Sequence, residues 1–243
     1  MYSTIDVRAG GRVYGVCSGF SQQAKATTYL DPINAEHTIP QSKFGSASPM
    51  KSDIMHLFPT HGEVNGARGS NPFDDITDSQ TDTWYIGDQS RLNDISSIPQ
   101  SNIDDYSEKT SSAFEPREDH KGDVARAVFY FFTIYDISID MNGLALGGDV
   151  NVLYQWHQQD PVDDWERTRN ERIEDTKGNR NPYVDYPDLV CSAWGFECAT
   201  GGTGGGNGGS SNTDASLVMT GVFDATLTGG SPKGVELYVI NPT

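Results

Sequence analysis

The sequence predicts an α+β fold that is mainly helical, with loops and short strands. Three observations predict it. A strand–loop–strand–helix order is readable from Ile33 to Arg68. A long apolar-periodic segment follows from Asp119 to Asp136, with further helix signals up to Gly178. Among 243 residues, 26 glycines and 12 prolines imply many connecting loops.

Taken in order, residues 1 to 35 carry short apolar stretches broken by Gly and Ser. Ile33 to Pro40 reads as a strand ended by proline, and a polar loop rich in Ser, Gly and Lys follows. Ile54 to Phe58 reads as a second strand. Thr60-His61-Gly62-Glu63 then fits a capping box, with Thr60 as N-cap and Glu63 as its reciprocal partner. A helix is therefore expected from His61, with Asn65 in its first turns and His61 exposed. Residues 74 to 115 are polar and read as loops and short strands around Trp84-Tyr85. In the 119–136 segment, Val124, Val128, Phe131, Phe132 and Tyr135 recur at helical spacing and form an apolar face. Asp149 is placed to cap a helix running to about His157. Asp160-Pro161 offers an N-cap and a proline at N1 for the next helix, which ends near Gly178. Residues 199–215, with Gly201 to Ser211 at their centre, form a Gly/Ser linker. Residues 216–243 turn strand-like but are too few for an independent β domain.

Charge and cysteines narrow the class. The net charge is −17, which works against binding phosphates unless basic residues gather locally. The Asp-rich stretch from Asp74 to Asp105 has Arg91 as its only basic residue. Other basic residues cluster in the segments around the strand–helix unit. An acidic, salt-tolerant shell with a local basic cleft is the reading. No apolar run reaches the roughly 20 residues a spanning helix needs, and no signal peptide is visible at Met1. Cys191 and Cys198 are close enough for a bridge of the kind exported proteins carry, with Cys17 left over. No CxxC or CxxH spacing supports zinc.

Chemistry concentrates at Glu36-His37. Neighbours on a strand face opposite ways, so both serve one pocket only if the strand ends there, as Pro40 allows. Alone, the pair reads more readily as a surface Glu beside a core His. Asn65, one helix later, adds a second hard oxygen. An amide and a carboxylate oxygen suit Mg²⁺, which keeps most of its waters. A neutral His beside such an ion takes a proton from water, and the ion offsets charge on a phosphate.

At this point a family resemblance emerges. Glu36-His37-Thr38-Ile39-Pro40-Gln41-Ser42, Asp53-Ile54-Met55-His56-Leu57-Phe58-Pro59-Thr60 and Glu63-Val64-Asn65-Gly66-Ala67-Arg68 resemble the core of bacterial endonuclease I and extracellular nucleases of the ββα-metal (His-Me finger) superfamily. Phe114-Glu115-Pro116, Lys121 to Arg126, Trp165 to Asn170 and Gly178 to Tyr183 continue the likeness in order. It covers roughly residues 1–190. It implies a secreted or periplasmic enzyme with a ββα-metal finger. Such an enzyme hydrolyses phosphodiester bonds of DNA, and often RNA, with little sequence preference, leaving 5′-phosphate ends. It further implies His37 as general base and Glu36 and Asn65 as ligands of one Mg²⁺, with Mn²⁺ or Ca²⁺ as substitutes. Arg68 and Arg126 are candidates for the cation that steadies the transition state. Lys43, Lys51, Lys121, Arg167 and Arg180 are candidates for phosphate contact. A monomer acting on DNA or RNA, without a membrane span, is expected.

Three departures qualify the match. The loop between the two strands is short and lacks the arginine-bearing insertion of some members. Met55 stands where many members have His. The helices that members carry ahead of the segment resembling Met1-Tyr2-Ser3 are absent, so residues 1–198 are expected to lack part of a full nuclease domain. The tail resembles the opening of a lamin-tail-like β-sandwich. Two other readings stand beside the nuclease: a non-catalytic nucleic-acid-binding relative, and a surface-attached protein in which the tail matters.

A protein of net charge −17 should bind nucleic acid poorly at low ionic strength unless its cleft is locally basic, and salt screens that repulsion. Plasmid cleavage measured from low to high NaCl should persist where a basic nuclease has lost its activity. A steep early loss would contradict this.

Overall fold

A computed structural model describes residues 1–27, 29–88, 90–92, 95–135, 147–198, 216–222 and 235–240. They fall into two units, Met1–Pro187 and Asp188–Thr243. The linker expected at 199–215 lies outside the described residues. The architecture is α+β, with several small antiparallel sheets beside helices. Among the described residues no helix is long and apolar enough to cross a membrane.

The first unit opens with an antiparallel meander of β1 (Val7–Arg8), β2 (Arg12–Tyr14) and β3 (Ser21–Gln23). Tyr2, Val13, Leu30 and Ile33 close a small core beneath it. Ile33 also begins β4 (Ile33–His37), which pairs antiparallel with β5 (Leu57–His61) from Ile33↔His61 to His37↔Leu57. The expected second strand thus starts three residues late. The Asp53 side chain accepts from the Met55 N–H and caps a 3₁₀ turn over Ile54–His56 instead.

Helix α1 (Gly62–Arg68) follows at once, and its cap differs from the expected box. Thr60 is held in the strand opposite Asn34 and is fully buried. The N-cap is His61, whose Nδ1 accepts from the Glu63 N–H at 3.4 Å. His61 is not exposed as expected but 2% accessible, edge-on to Phe20. Strand pairing overrode the local signal, because moving the cap to Thr60 would sacrifice the Ile33↔His61 pair.

A four-stranded sheet of order β7-β6-β8-β9 comes next, made of β6 (Thr83–Ile86), β7 (Ser90–Leu92), β8 (Ser107–Lys109) and β9 (Phe114–Glu115). Trp84 and Tyr85 are buried in it. Helix α2 (Lys121–Ile134) follows a 3₁₀ turn over Glu118–His120. The expected apolar face is present, but Ala125, Ala127, Phe129 and Tyr130 are buried too. α2 is therefore a central helix wrapped on most sides. Asp136, its expected end, lies outside the described residues.

Helix α3 (Val150–Gln159) is capped as expected, the Asp149 side chain accepting from Asn151 N–H at 2.7 Å. α4 (Asp164–Lys177) is capped by Asp163, not Asp160. Asp160 instead ends α3, and its carboxylate accepts from the Gly122 N–H at 2.8 Å. That ties the α3–α4 corner to the start of α2. The approach is so close that a Cβ at position 122 would collide with the Asp160 carbonyl. Gly178 ends α4 in the left-handed conformation, as expected. The short α5 (Pro182–Asp185) is capped by Asn181.

In the second unit, α6 (Leu189–Trp194) carries Cys191, which forms a disulfide with Cys198, their Cα atoms 5.2 Å apart. β10 (Ser216–Val222) and β11 (Val235–Ile240) form an antiparallel hairpin with a bulge between Met219 and Gly221.

Burial pulls His56 down to about 4, and its Nε2 lies 2.7 Å from the Met50 carbonyl. An unfolded chain takes up this proton near pH 6.5, the folded one only near 4, so stability falls as pH drops through that window. The ceiling is about 3 kcal/mol for this one group. Thermal melts of the parent and His56→Gln at pH 7 and pH 5 should show a smaller acid-induced loss in the variant. Equal losses would contradict this.

Candidate active site

β4 ends at His37, so the alternation that would separate Glu36 from His37 breaks off where it matters. Glu36 is buried at 4% exposure, while His37 is half-buried. Arg68, the last residue of α1, is 1% exposed and reaches back to this strand end. Its guanidinium pairs with Glu36 Oε1 and donates to the His37 and Thr38 carbonyls, each at 2.7 Å. It also stacks over Phe73 at 4.0 Å. One buried cation thus fixes both a carboxylate and the local backbone.

The His37 ring is held at both nitrogens. Nε2 lies 3.0 Å from the Lys51 carbonyl and Nδ1 3.4 Å from Gln41 Nε2. A carbonyl only accepts, so Nε2 carries the proton and Nδ1 keeps its lone pair. Burial holds the imidazole below its ordinary pKa, partly opposed by the bond to Lys51. At neutral pH the ring is a neutral base. His56 packs edge-on at 5.5 Å between ring centroids and supports it from beneath.

The chemistry of the oxygens near Glu36 fits a hard cation. Glu36 Oε2 is buried with no hydrogen-bond partner. Burial pushes this carboxyl above the usual carboxylate range, with Arg68 pulling the other way. Asn65 projects from α1 beside β4, its amide nitrogen donating to Asn34 Oδ1 at 2.8 Å and the Ala35 carbonyl at 3.3 Å. That orients its Oδ1 as the free acceptor. Among the described residues no three His, Cys, Asp or Glu side chains gather as metal ligands. A carboxylate and an amide oxygen alone suit an ion that keeps most of its waters.

The expected cations divide sharply. Lys43 and Lys51 are exposed in the turns around His37, and Arg167 is exposed with one long contact to the Val184 carbonyl. The rest are engaged. Arg126 is 1% exposed, bound to Glu166 through two nitrogens and to the Asp160 carbonyl at 2.8 Å. It has no free donor face for a phosphate, which corrects its expected placement. Arg68 is likewise committed to Glu36 and the backbone. Lys121 is buried against Glu115 at 2.6 Å and Glu118 at 2.5 Å. Arg180 forks onto Asp185 and reaches Glu174. The basic cleft therefore contracts to a few free heads. Gln41, Asn34 and the Lys51 carbonyl were not singled out in advance. The first two flank the motif residues; a carbonyl leaves no mark in sequence.

The β4–β5 pair and α1 bring Glu36, His37 and Asn65 close together at one strand end. The sequence profile of the Endonuclease I family matches residues 1–188, and the chain belongs to that family. It is 34% identical over 175 residues to an extracellular ribonuclease of Bacillus amyloliquefaciens, covering 66% of this chain and 53% of that protein. It is 35% identical to an extracellular ribonuclease of Bacillus subtilis (strain 168), with 66% and 54% covered. An extracellular deoxyribonuclease of Aeromonas hydrophila is 28% identical, with 63% and 65% covered. The chain spans about half the length of the two Bacillus relatives.

Removing Arg68 would strand Glu36 in a buried site without its counter-charge. Arg68→Ala should cost about 3–5 kcal/mol, read as a drop in the denaturant midpoint at pH 7. A change under about 0.5 kcal/mol would show the pair to be dispensable.

Proposed function

We propose that this chain is a metal-dependent, non-specific endonuclease that hydrolyses phosphodiester bonds of DNA and also of RNA. The observation that carries the reading is the pairing at the end of β4. His37, neutral and with Nδ1 unprotonated, stands beside a buried carboxylate whose second oxygen has no partner. The relatives' names add that both ribonucleases and deoxyribonucleases occur among similar proteins. The scissile phosphodiester is common to both substrates. Location is secreted or periplasmic, as for those relatives, and the Cys191–Cys198 disulfide accords with an oxidising compartment.

In this reading the Lys51 carbonyl holds the His37 ring, and Nδ1 accepts a proton from the water that attacks phosphorus. Gln41 marks the side of the ring at which that water arrives. Glu36 and Asn65 hold one Mg²⁺, for which Mn²⁺ or Ca²⁺ substitutes. When bound, the ion supplies charge neutralisation at the phosphate and the departing oxygen. Arg68 keeps Glu36 in place. Lys43, Lys51 and Arg167 draw the backbone of the nucleic acid to an otherwise acidic surface. The products carry 5′-phosphates.

His37→Ala should slow conversion of supercoiled plasmid by about 10²–10⁴-fold in Mg²⁺, and EDTA should abolish it in the parent. Matched single- and double-stranded DNA and RNA in the same assay report the substrate range. A variant that cuts as fast as the parent removes His37 as the base. Binding without cutting in Mg²⁺ would favour a non-catalytic relative.

A further inference from the structure

Beyond the residues already placed, a second histidine is built against the same carboxylate. His120 is 3% exposed, although its sequence context gave it no partner. Its Nδ1 lies 3.1 Å from Asp123 Oδ2, in the first turn of α2. Asp123 is in turn held by Arg126 at 3.4 Å. The His120 ring packs edge-on against Phe58, centroids 4.8 Å apart. Phe58 is the cross-strand partner of Glu36, and such partners project from the same face of a sheet. The Asp123–His120 dyad therefore lies over the face that carries Glu36. The two side chains are near enough to act on each other electrostatically.

With Nδ1 turned to Asp123, the ring is fixed in plane and tautomer. Nε2 makes no hydrogen bond among the described residues, and the ring that carries it packs on Phe58, on the face of the strand pair that holds Glu36. A carboxylate that aligns an imidazole beside a cation ligand is the arrangement by which proteins tune metal sites from outside the ligand set. A packing histidine needs no such alignment.

We infer that His120, oriented by Asp123, is a positioning residue for the cation site of Glu36 and Asn65 and sets how tightly that site takes a divalent ion. The inference rests on the cation reading above. It is distinct from the role of His37, which concerns the proton of the attacking water.

The test is Mn²⁺ titration of the whole chain without nucleic acid, followed by electron paramagnetic resonance of the free ion. Parent, Glu36→Gln, His120→Ala, His120→Asn and His120→Gln are compared, with melting in EDTA as the fold control. His120→Asn keeps a donor for Asp123 but lacks an atom at Nε2, whereas His120→Gln reaches the Nε2 position. His120→Ala and His120→Asn should bind Mn²⁺ about 10–100-fold more weakly, with His120→Gln in between and the Asn and Gln variants melting in EDTA like the parent. Mn²⁺ affinity within twofold of the parent in the folded Asn variant would overturn the inference. So would loss of fold in every variant, which would make His120 a core residue only. If Glu36→Gln binds Mn²⁺ as the parent does, the cation reading itself fails, a result separate from the other two.

Discussion

The site depends on one buried ion pair. Arg68 closes α1 and reaches under the end of β4, where it meets Glu36 and two consecutive carbonyls. Desolvating both charges is costly, and only the extra carbonyl bonds and the Phe73 ring make the arrangement favourable. The helix end and the strand end are locked at the point where Glu36 and His37 lie side by side. Everything else in the first unit supplies walls for that lock.

Those walls follow the same economy of charge. Arg126 spans Glu166, Asp123 and the Asp160 carbonyl. Arg169 holds Asp6 and the Ile54 and Leu57 carbonyls while lying over Phe58. Asp53 accepts from both Tyr130 and Tyr135 hydroxyls, tying the strand connection to α2. Buried arginines thus join segments far apart in sequence. This is a use suited to a planar fork of donors and closed to lysine.

What the sequence made legible was local. Asp149 as a cap and Gly178 as a stop depend on a few neighbouring residues, and both stand as read. Glu36, His37 and Asn65 stood out in the sequence through ordered motifs, and the fold places all three at the end of β4. The register of β5 was not, because pairing Ile33 with His61 is a long-range gain that no capping pattern encodes. The arginines misled for a related reason. Sequence displays their charge and hides their burial, so Arg126 read as a cation for the transition state, whereas the fold buries it as a strut against Glu166. His120 was passed over because its partner Asp123 lies one helical turn on, and only folding brings Phe58 against it.

The Lys51 carbonyl has a consequence for how this site can drift. The tautomer of His37 is set by a main-chain oxygen. Any residue that keeps the turn over Met50–Ser52 supplies the same acceptor. The side chain at position 51 acts on the ring only through its charge, which helps to hold the His37 pKa down. Lineages are at liberty to swap lysine for a neutral or acidic residue there, retuning the local charge and the basicity of the ring while its tautomer stays as it was.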